Sequence, residues 1–205
     1  MNKPDLIRSD SRRRYRTLLD TAADLFIELG FEAASLNELV ARAGGSKSSI
    51  YTYFRDKEGL FVAVVDDMVD EVLIPLRRPL PEDVPFAENL QRLADHTLDV
   101  LTSKKGMGLS RIVVTESTRH PAIGRHFFDH GPGHAIRQLA DHLERLTGTK
   151  QIACDDPELA AEAFWGMLLH KPMLEGYCAI AKPMSKKKRA DYVARIVETF
   201  VTRFC

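Results

Sequence analysis

Thiols, tryptophan and long apolar runs are scarce in this chain of 205 residues. The three cysteines, Cys154, Cys178 and Cys205, lie far apart, and their odd number without a C-x-x-C pair fits no simple disulfide framework. A reduced, cytoplasmic protein is the plain reading. No uninterrupted apolar run approaches the roughly 18 residues of a membrane span, and the start of the chain has no signal-type apolar core. Secretion, a membrane partner and membrane spanning are therefore not expected. Net charge is absent too, since 29 basic side chains balance 29 acidic ones. That excludes anion binding over the whole surface but leaves room for a local basic patch. Alternating strand patterns are missing, so the fold class is expected to be all-α. Nucleophile elbow, metalloprotease helix and phosphate loop are missing as well. An enzyme is not expected, and no catalytic residue, cofactor or dedicated metal ligand is assigned.

What is present is helical periodicity. Leu18, Leu19, Ala22, Leu25, Phe26 and Leu29 recur at three- and four-residue steps, and Gly30 follows as a stop. This predicts a helix over 11–29. In "SLNELVARAGG", Ser35 and Glu38 form a capping box for a short second helix that stops at Gly44-Gly45. Ser46 can cap a third short helix ending near Phe54, and Asp56 a fourth running from Lys57 towards Ile74, where Pro75 breaks it. The proline-rich "PLRRPLPEDVP" reads as a bend or linker. Further helices are expected at 84–103, 107–118, 121–130, 133–147, 157–179 and 187–204.

Two short helices joined by a glycine turn behind a longer one make a helix-turn-helix. Winding the third helix at about 100° per residue puts Ile50 and Phe54 on a buried side. Ser48, Ser49 and Thr52 then point outward, Tyr51 and Tyr53 fall on the flanks, and Lys47 sits in the first turn. Small hydroxyl residues allow close approach to base edges in a DNA major groove, while tyrosine and lysine reach phosphates. Lys57, at the start of the fourth helix, can share a phosphate with free N–H groups. Arg8, Arg12, Arg13, Arg14 and Arg16 form a basic arm ahead of this motif.

The stretch "LFIELGFEAASLNELVARAGGSKSSIYTYFRDKEGLFVAVVD" resembles the DNA-binding domain of the tetracycline-repressor (TetR) family of bacterial regulators. The matching features are L-F-x-x-x-G-[FY], the Ser35 cap, A-x-x-A-G, S-K-x-x-[IL]-Y-x-[YH]-F and K-E-x-L-F. The resemblance implies a helix-turn-helix domain at 1–60 and a ligand-binding and dimerisation domain at 61–205. It carries DNA contacts onto Ser46, Lys47, Ser48, Ser49, Tyr51, Thr52, Tyr53 and Lys57. Gly45 departs from a usual larger apolar residue and Ser48 from a common glycine. A second stretch, "ESTRHPAIGRHFFDHGPGHAIRQLADHLERL" with "DDPELAAEAFWGMLLHKPMLEGY", is similar to the AefR-like subgroup of C-terminal domains.

That resemblance implies a homodimer on a palindromic double-stranded DNA operator, released by a small effector. One dimer stripe is expected from Leu159, Ala163, Gly166, Met167 and His170, and another from Tyr192, Ile196, Thr199 and Phe200, unless both face their own core. An aromatic and methionine-rich pocket is expected from Met107, Ile112, Phe127, Phe128, Trp165, Leu168, Met173 and Tyr177, which suits a mainly apolar effector. His126, His130 and His134, spaced by four with Asp129 and His142 not far, offer the alternative of a metal-responsive regulator, although "GPG" interrupts the run. A helical enzyme and an architectural DNA binder without ligand are the remaining alternatives.

Overall fold

The computed structural model describes residues 3–44, 46–76, 81 and 83–205, with side chains from Asp10 onward. Gly45, the Arg8 side chain and residues 77–80 of the proline-rich segment lie outside the described residues. Among the described residues the regular structure is helical throughout: α1 (Lys3–Ala33), α2 (Leu36–Ala43), α3 (Lys47–Phe54), α4 (Lys57–Leu73), a 3₁₀ turn (Ile74–Leu76), α5 (Phe86–Leu101), α6 (Lys104–Glu116), α7 (Pro121–His130), α8 (Pro132–Gly148), α9 (Pro157–Tyr177) and α10 (Lys186–Phe204). The chain divides into two compact units. The first holds residues up to Met68 together with Gly108–Phe127, and the second holds Val69–Met107 with Phe128–Cys205.

In the first unit, α1 is interrupted at Gly30 (φ 77°, ψ 170°), a conformation only glycine adopts readily. The expected stop is thus in place, but winding begins at Lys3 rather than near Ser11. The arginines expected as an arm lie on a helix. Ser35 caps α2 by accepting from the Glu38 N–H (3.1 Å). The Glu38 carboxylate binds Arg42 at 2.6 Å instead of completing the box, and Arg42 also holds Glu28. Gly44 (φ 74°) closes α2 with its N–H on Val40 O. Between α3 and α4, the Asp56 N–H donates to Phe54 O (2.9 Å) across Arg55, whose φ of 69° and ψ of −53° mark a strained γ-turn. Asp56 Oδ1 then accepts from the Gly59 N–H (2.7 Å) and caps α4. A Cβ on Gly59 would overlap the Phe54 carbonyl oxygen, so the turn needs glycine there. The core centres on Phe26, Phe31 and Phe61, with ring centroids 5.1–5.8 Å apart.

In the second unit, α8 packs on α9, and α10 packs on both α5 and α9. Phe164 and Phe200, both fully buried, meet edge to face at 5.2 Å. Pro157 stands at the first position of α9, where its missing N–H costs nothing, and the Asp156 carboxylate caps the Leu159 N–H (3.0 Å). Arg189 of α10 donates to Asp99 Oδ1 (2.6 Å), Asp95 Oδ1 (3.3 Å) and the Asp95 carbonyl, joining α10 to α5.

Candidate nucleic-acid interface

The third helix divides by angle as its residues predict. Ile50 and Phe54 are buried, whereas Lys47, Ser48, Tyr51 and Thr52 are exposed and Ser49 and Tyr53 are half-buried. Burial of Ile50 and Phe54 fixes the helix at about 1.5–3 kcal/mol each, which leaves its other face free to carry polar groups. Ser46 occupies the N-cap, but its hydroxyl faces the Ser49 hydroxyl (3.3 Å) rather than capping a backbone N–H. One orphan donor at the start of α3 is thereby left to an outside acceptor. The Thr52 hydroxyl donates back to Ser48 O (2.8 Å), so what it presents outward is an acceptor.

Tyr53 is held in place. Its ring lies edge-on to Tyr15 of α1 at 5.6 Å, and Tyr15 also packs on Phe54 at 5.1 Å. Burial pushes the Tyr15 hydroxyl above its ordinary pKa. Tyr15 escaped the sequence reading, although its place inside an arginine run was the available signal. Arg12 and Arg13 are exposed on α1, and Arg13 pairs with Asp10 at 2.8 Å. Arg16 is committed to Asp67 and Asp20, so it is not part of an available basic patch.

Lys57 differs most from expectation. Its ammonium donates to the carbonyls of Glu32 (3.0 Å) and Ala34 (3.2 Å) and lies 4.6 Å over the Phe31 ring. A cation where α1 ends satisfies carbonyls that have no helical partner. In this structure Lys57 therefore ties α4 to the end of α1.

The other candidate residues scatter. His126 is held by Asp66 (2.7 Å), His130 closes α7, and His134 stands in α8 beyond the break at Gly131. His126 belongs to the first unit, and His130 and His134 belong to the second. Phe200 is fully buried within its own unit and so is core rather than part of an outward dimer stripe, whereas Tyr192 is half-buried with its hydroxyl donating to the α9 carbonyls of Met167 and Leu168. Their neighbours differ: Leu159, Gly166, His170 and Thr199 are exposed, and Ala163, Met167 and Ile196 are half-buried.

Of the expected pocket lining, Ile112 and Phe127 belong to the first unit and the rest to the second. Leu168 and Trp165 are buried, Met173 is half-buried, and Phe128 and Tyr177 are exposed. The Trp165 Nε1 is buried without a hydrogen-bond partner. An open groove of about 790 Å³ in the second unit takes only Met107 from that set. Half of its lining residues are charged: the bases Lys171, Lys182, Lys188, Arg189 and Arg195 and the acids Asp99, Glu175 and Asp191. This groove is amphipathic, with Met107, Pro172, Ala181, Pro183, Met184 and Tyr192 among its lining residues.

Residues 18–64 match the family model described as bacterial regulatory proteins, tetR family, and residues 88–205 match that of the AefR-like transcriptional repressor, C-terminal domain. The HTH-type transcriptional regulator RutR of Escherichia coli (strain K12) is 33% identical over 72 residues, covering 35% of this chain and 34% of RutR. The chain spans less than half the length of the curated relatives it matches. A solved TetR-family transcriptional regulator from Mesorhizobium loti MAFF303099 superimposes with a TM-score of 0.78 at 28% identity, covering 94% of this chain and 96% of that one. The flavonoid-responsive regulator FrrA superimposes with a TM-score of 0.74 at 26% identity, covering 93% and 96%.

Proposed function

The chain belongs to the TetR family of bacterial regulators, with an AefR-like C-terminal domain, and on that premise we propose that it is a sequence-specific DNA-binding transcriptional regulator rather than an enzyme. The observation that carries this is α3: a helix pinned by Ile50 and Phe54 that offers Lys47, Ser48, Tyr51 and Thr52 to solvent behind a glycine turn. Such a face fits the major groove, where hydroxyls meet base edges and Lys47, Tyr51 and Tyr53 meet phosphates. Arg12 and Arg13 extend the phosphate contact along α1.

The regulator acts in the cytoplasm as a homodimer on a palindromic operator, since paired reading heads need half-sites related by a two-fold axis. The exposed stripe of α9, Leu159, Gly166 and His170, with Thr199 of α10, supplies the pairing surface. It is a repressor released by a small effector that binds the second unit. Support comes from the charged groove, from the unanswered Trp165 N–H and from the input named for FrrA. An effector with an apolar body and an acidic group suits the mixture of methionine, tyrosine and basic side chains there. Release requires about 1–3 kcal/mol of coupling between effector and operator.

Selection from random duplexes tests this reading. Purified protein is expected to enrich one palindrome; enrichment of none sinks sequence-specific regulation. Screening a small-molecule library for release of the selected duplex then tests the effector arm.

A further inference from the structure

Glu32, Glu116 and His120 converge within the first unit, with one donor atom from each lying within 4.8 Å of the others. They come from separate places: Glu32 near the end of α1, Glu116 at the last residue of α6, and His120 from the turn before α7. The turn itself is set by the His120 N–H, which donates to Glu116 O (2.7 Å) and keeps the two residues side by side. His120 Nε2 stands 3.5 Å from Glu32 Oε1. Two ligands each about 2.1 Å from a shared tetrahedral ion are about 3.4 Å apart. The other ring nitrogen, Nδ1, lies 3.2 Å from Glu58 Oε1 of α4. A carboxylate is thus placed to accept from Nδ1–H and leave the Nε2 lone pair facing the cluster, as in carboxylate–histidine–metal arrangements. Phe31 packs edge-on to the imidazole at 5.2 Å and helps set its plane.

Glu116 gives an independent sign. It is only 8% exposed, and its Oε2 is buried without a hydrogen-bond partner. The Arg119 guanidinium approaches it only to 4.0 Å and is itself largely exposed. A buried carboxylate oxygen left unanswered is strongly unfavourable unless a cation meets it. Its position worsens the imbalance, because Glu116 is the last residue of α6, where the helix dipole is negative. A cation at the point of convergence offsets the end of α6 and all three carboxylates.

We propose that Glu32, Glu116 and His120 bind a divalent first-row transition-metal ion, with Glu58 as the positioning residue that fixes the imidazole. One nitrogen and two carboxylate donors select zinc or manganese over calcium or magnesium, which take oxygen ligands. The ion fastens the ends of α1 and α6 to the start of α4, the helix that follows α3. The site requires no DNA and stands or falls separately from the regulatory reading.

Titration calorimetry of the chelator-treated full chain with zinc chloride, without DNA, is the test. One ion per chain is expected. Glu116→Gln, which keeps the shape of the side chain, and His120→Ala, at a less buried position, are each expected to weaken binding at least tenfold. Circular dichroism verifies that each variant is folded. Glu58→Gln is expected to cost about tenfold or more and Glu58→Asp to recover part of it, a rescue that loss of packing alone would not give. Cobalt substitution separates this site from the thiols: weak visible bands without thiolate charge transfer are expected, and they disappear in Glu116→Gln. No zinc uptake by the wild-type chain, wild-type affinity in folded Glu116→Gln and His120→Ala, or a cobalt spectrum made only of thiolate bands would overturn the proposal.

Discussion

Pro172 sits inside α9 without an N–H, so the carbonyl of Leu168 one turn earlier has no helical donor. Tyr192 of α10 supplies one: its hydroxyl lies 2.8 Å from Leu168 O and 3.0 Å from Met167 O. Tyr192→Phe is expected to lower stability by about 1 kcal/mol in urea unfolding, because the ring stays and only the donor is lost. The sequence put Tyr192 on a stripe facing either a second chain or its own core, because three- and four-residue spacing reports a face and not what that face meets. The missing information was the orphan carbonyl, which becomes visible only when Pro172 is placed in a helix packed on α10. A second residue-scale consequence concerns the thiols. Burial, with Cys154 beside it, pushes the Cys205 thiol up to about 12, and burial also raises that of Cys154. Reaction with iodoacetamide at neutral pH should therefore label the exposed Cys178 first, as peptide mass mapping over a time course would reveal. Early labelling of Cys205 would contradict the burial argument.

At the scale of elements, the reading helix was legible because α3 is short, regular and anchored at two positions that a helical wheel identifies. Lys47→Ala should weaken binding to all duplexes and shallow the log–log salt dependence by about one unit, whereas Thr52→Ala should relax preference at particular bases. Electrophoretic mobility shifts over a salt series distinguish the two. Lys57 was not legible in the same way, since the carbonyls it serves belong to residues 25 and 23 positions earlier. The metal reading shows the same limit. Regular spacing drew attention to His126, His130 and His134, whereas the residues that converge are scattered from Glu32 to His120. Contact between α5 and α10 adds a pH dependence. Arg189 hydrogen-bonds Asp99 and holds its carboxyl below the usual range. A depressed folded pKa gives stability that is present above the unfolded value, about 3.9, and is lost as pH falls through the folded value. Asp99 is largely exposed, so the contribution is at most about 1 kcal/mol. Arg189→Met should therefore lose more stability relative to wild type at pH 6 than at pH 2.5, as measured by thermal unfolding at both.

For the whole molecule, the all-α class and the succession of helices were readable from periodicity, glycine stops and caps; the grouping of helices into units was not. Pairing of two chains is testable at Gly166, which is exposed and has nothing within 4 Å of a Cβ built there. Gly166→Arg should leave each chain folded by circular dichroism yet shift sedimentation from dimer to monomer. Persistence of the dimer would place the interface elsewhere. The first unit itself is discontinuous, because Gly108–Phe127 returns to it after the intervening Val69–Met107. On the ribosome, the reading head therefore waits half-finished: α3 has emerged long before Leu109, Val113 and Ile123 arrive to be buried. Closing that long loop adds only a slowly growing entropy cost, but it sets an order of events. A gene fusion cut after Met68 transplants a head without its second segment, whereas one that carries residues through Phe127 delivers the whole of it.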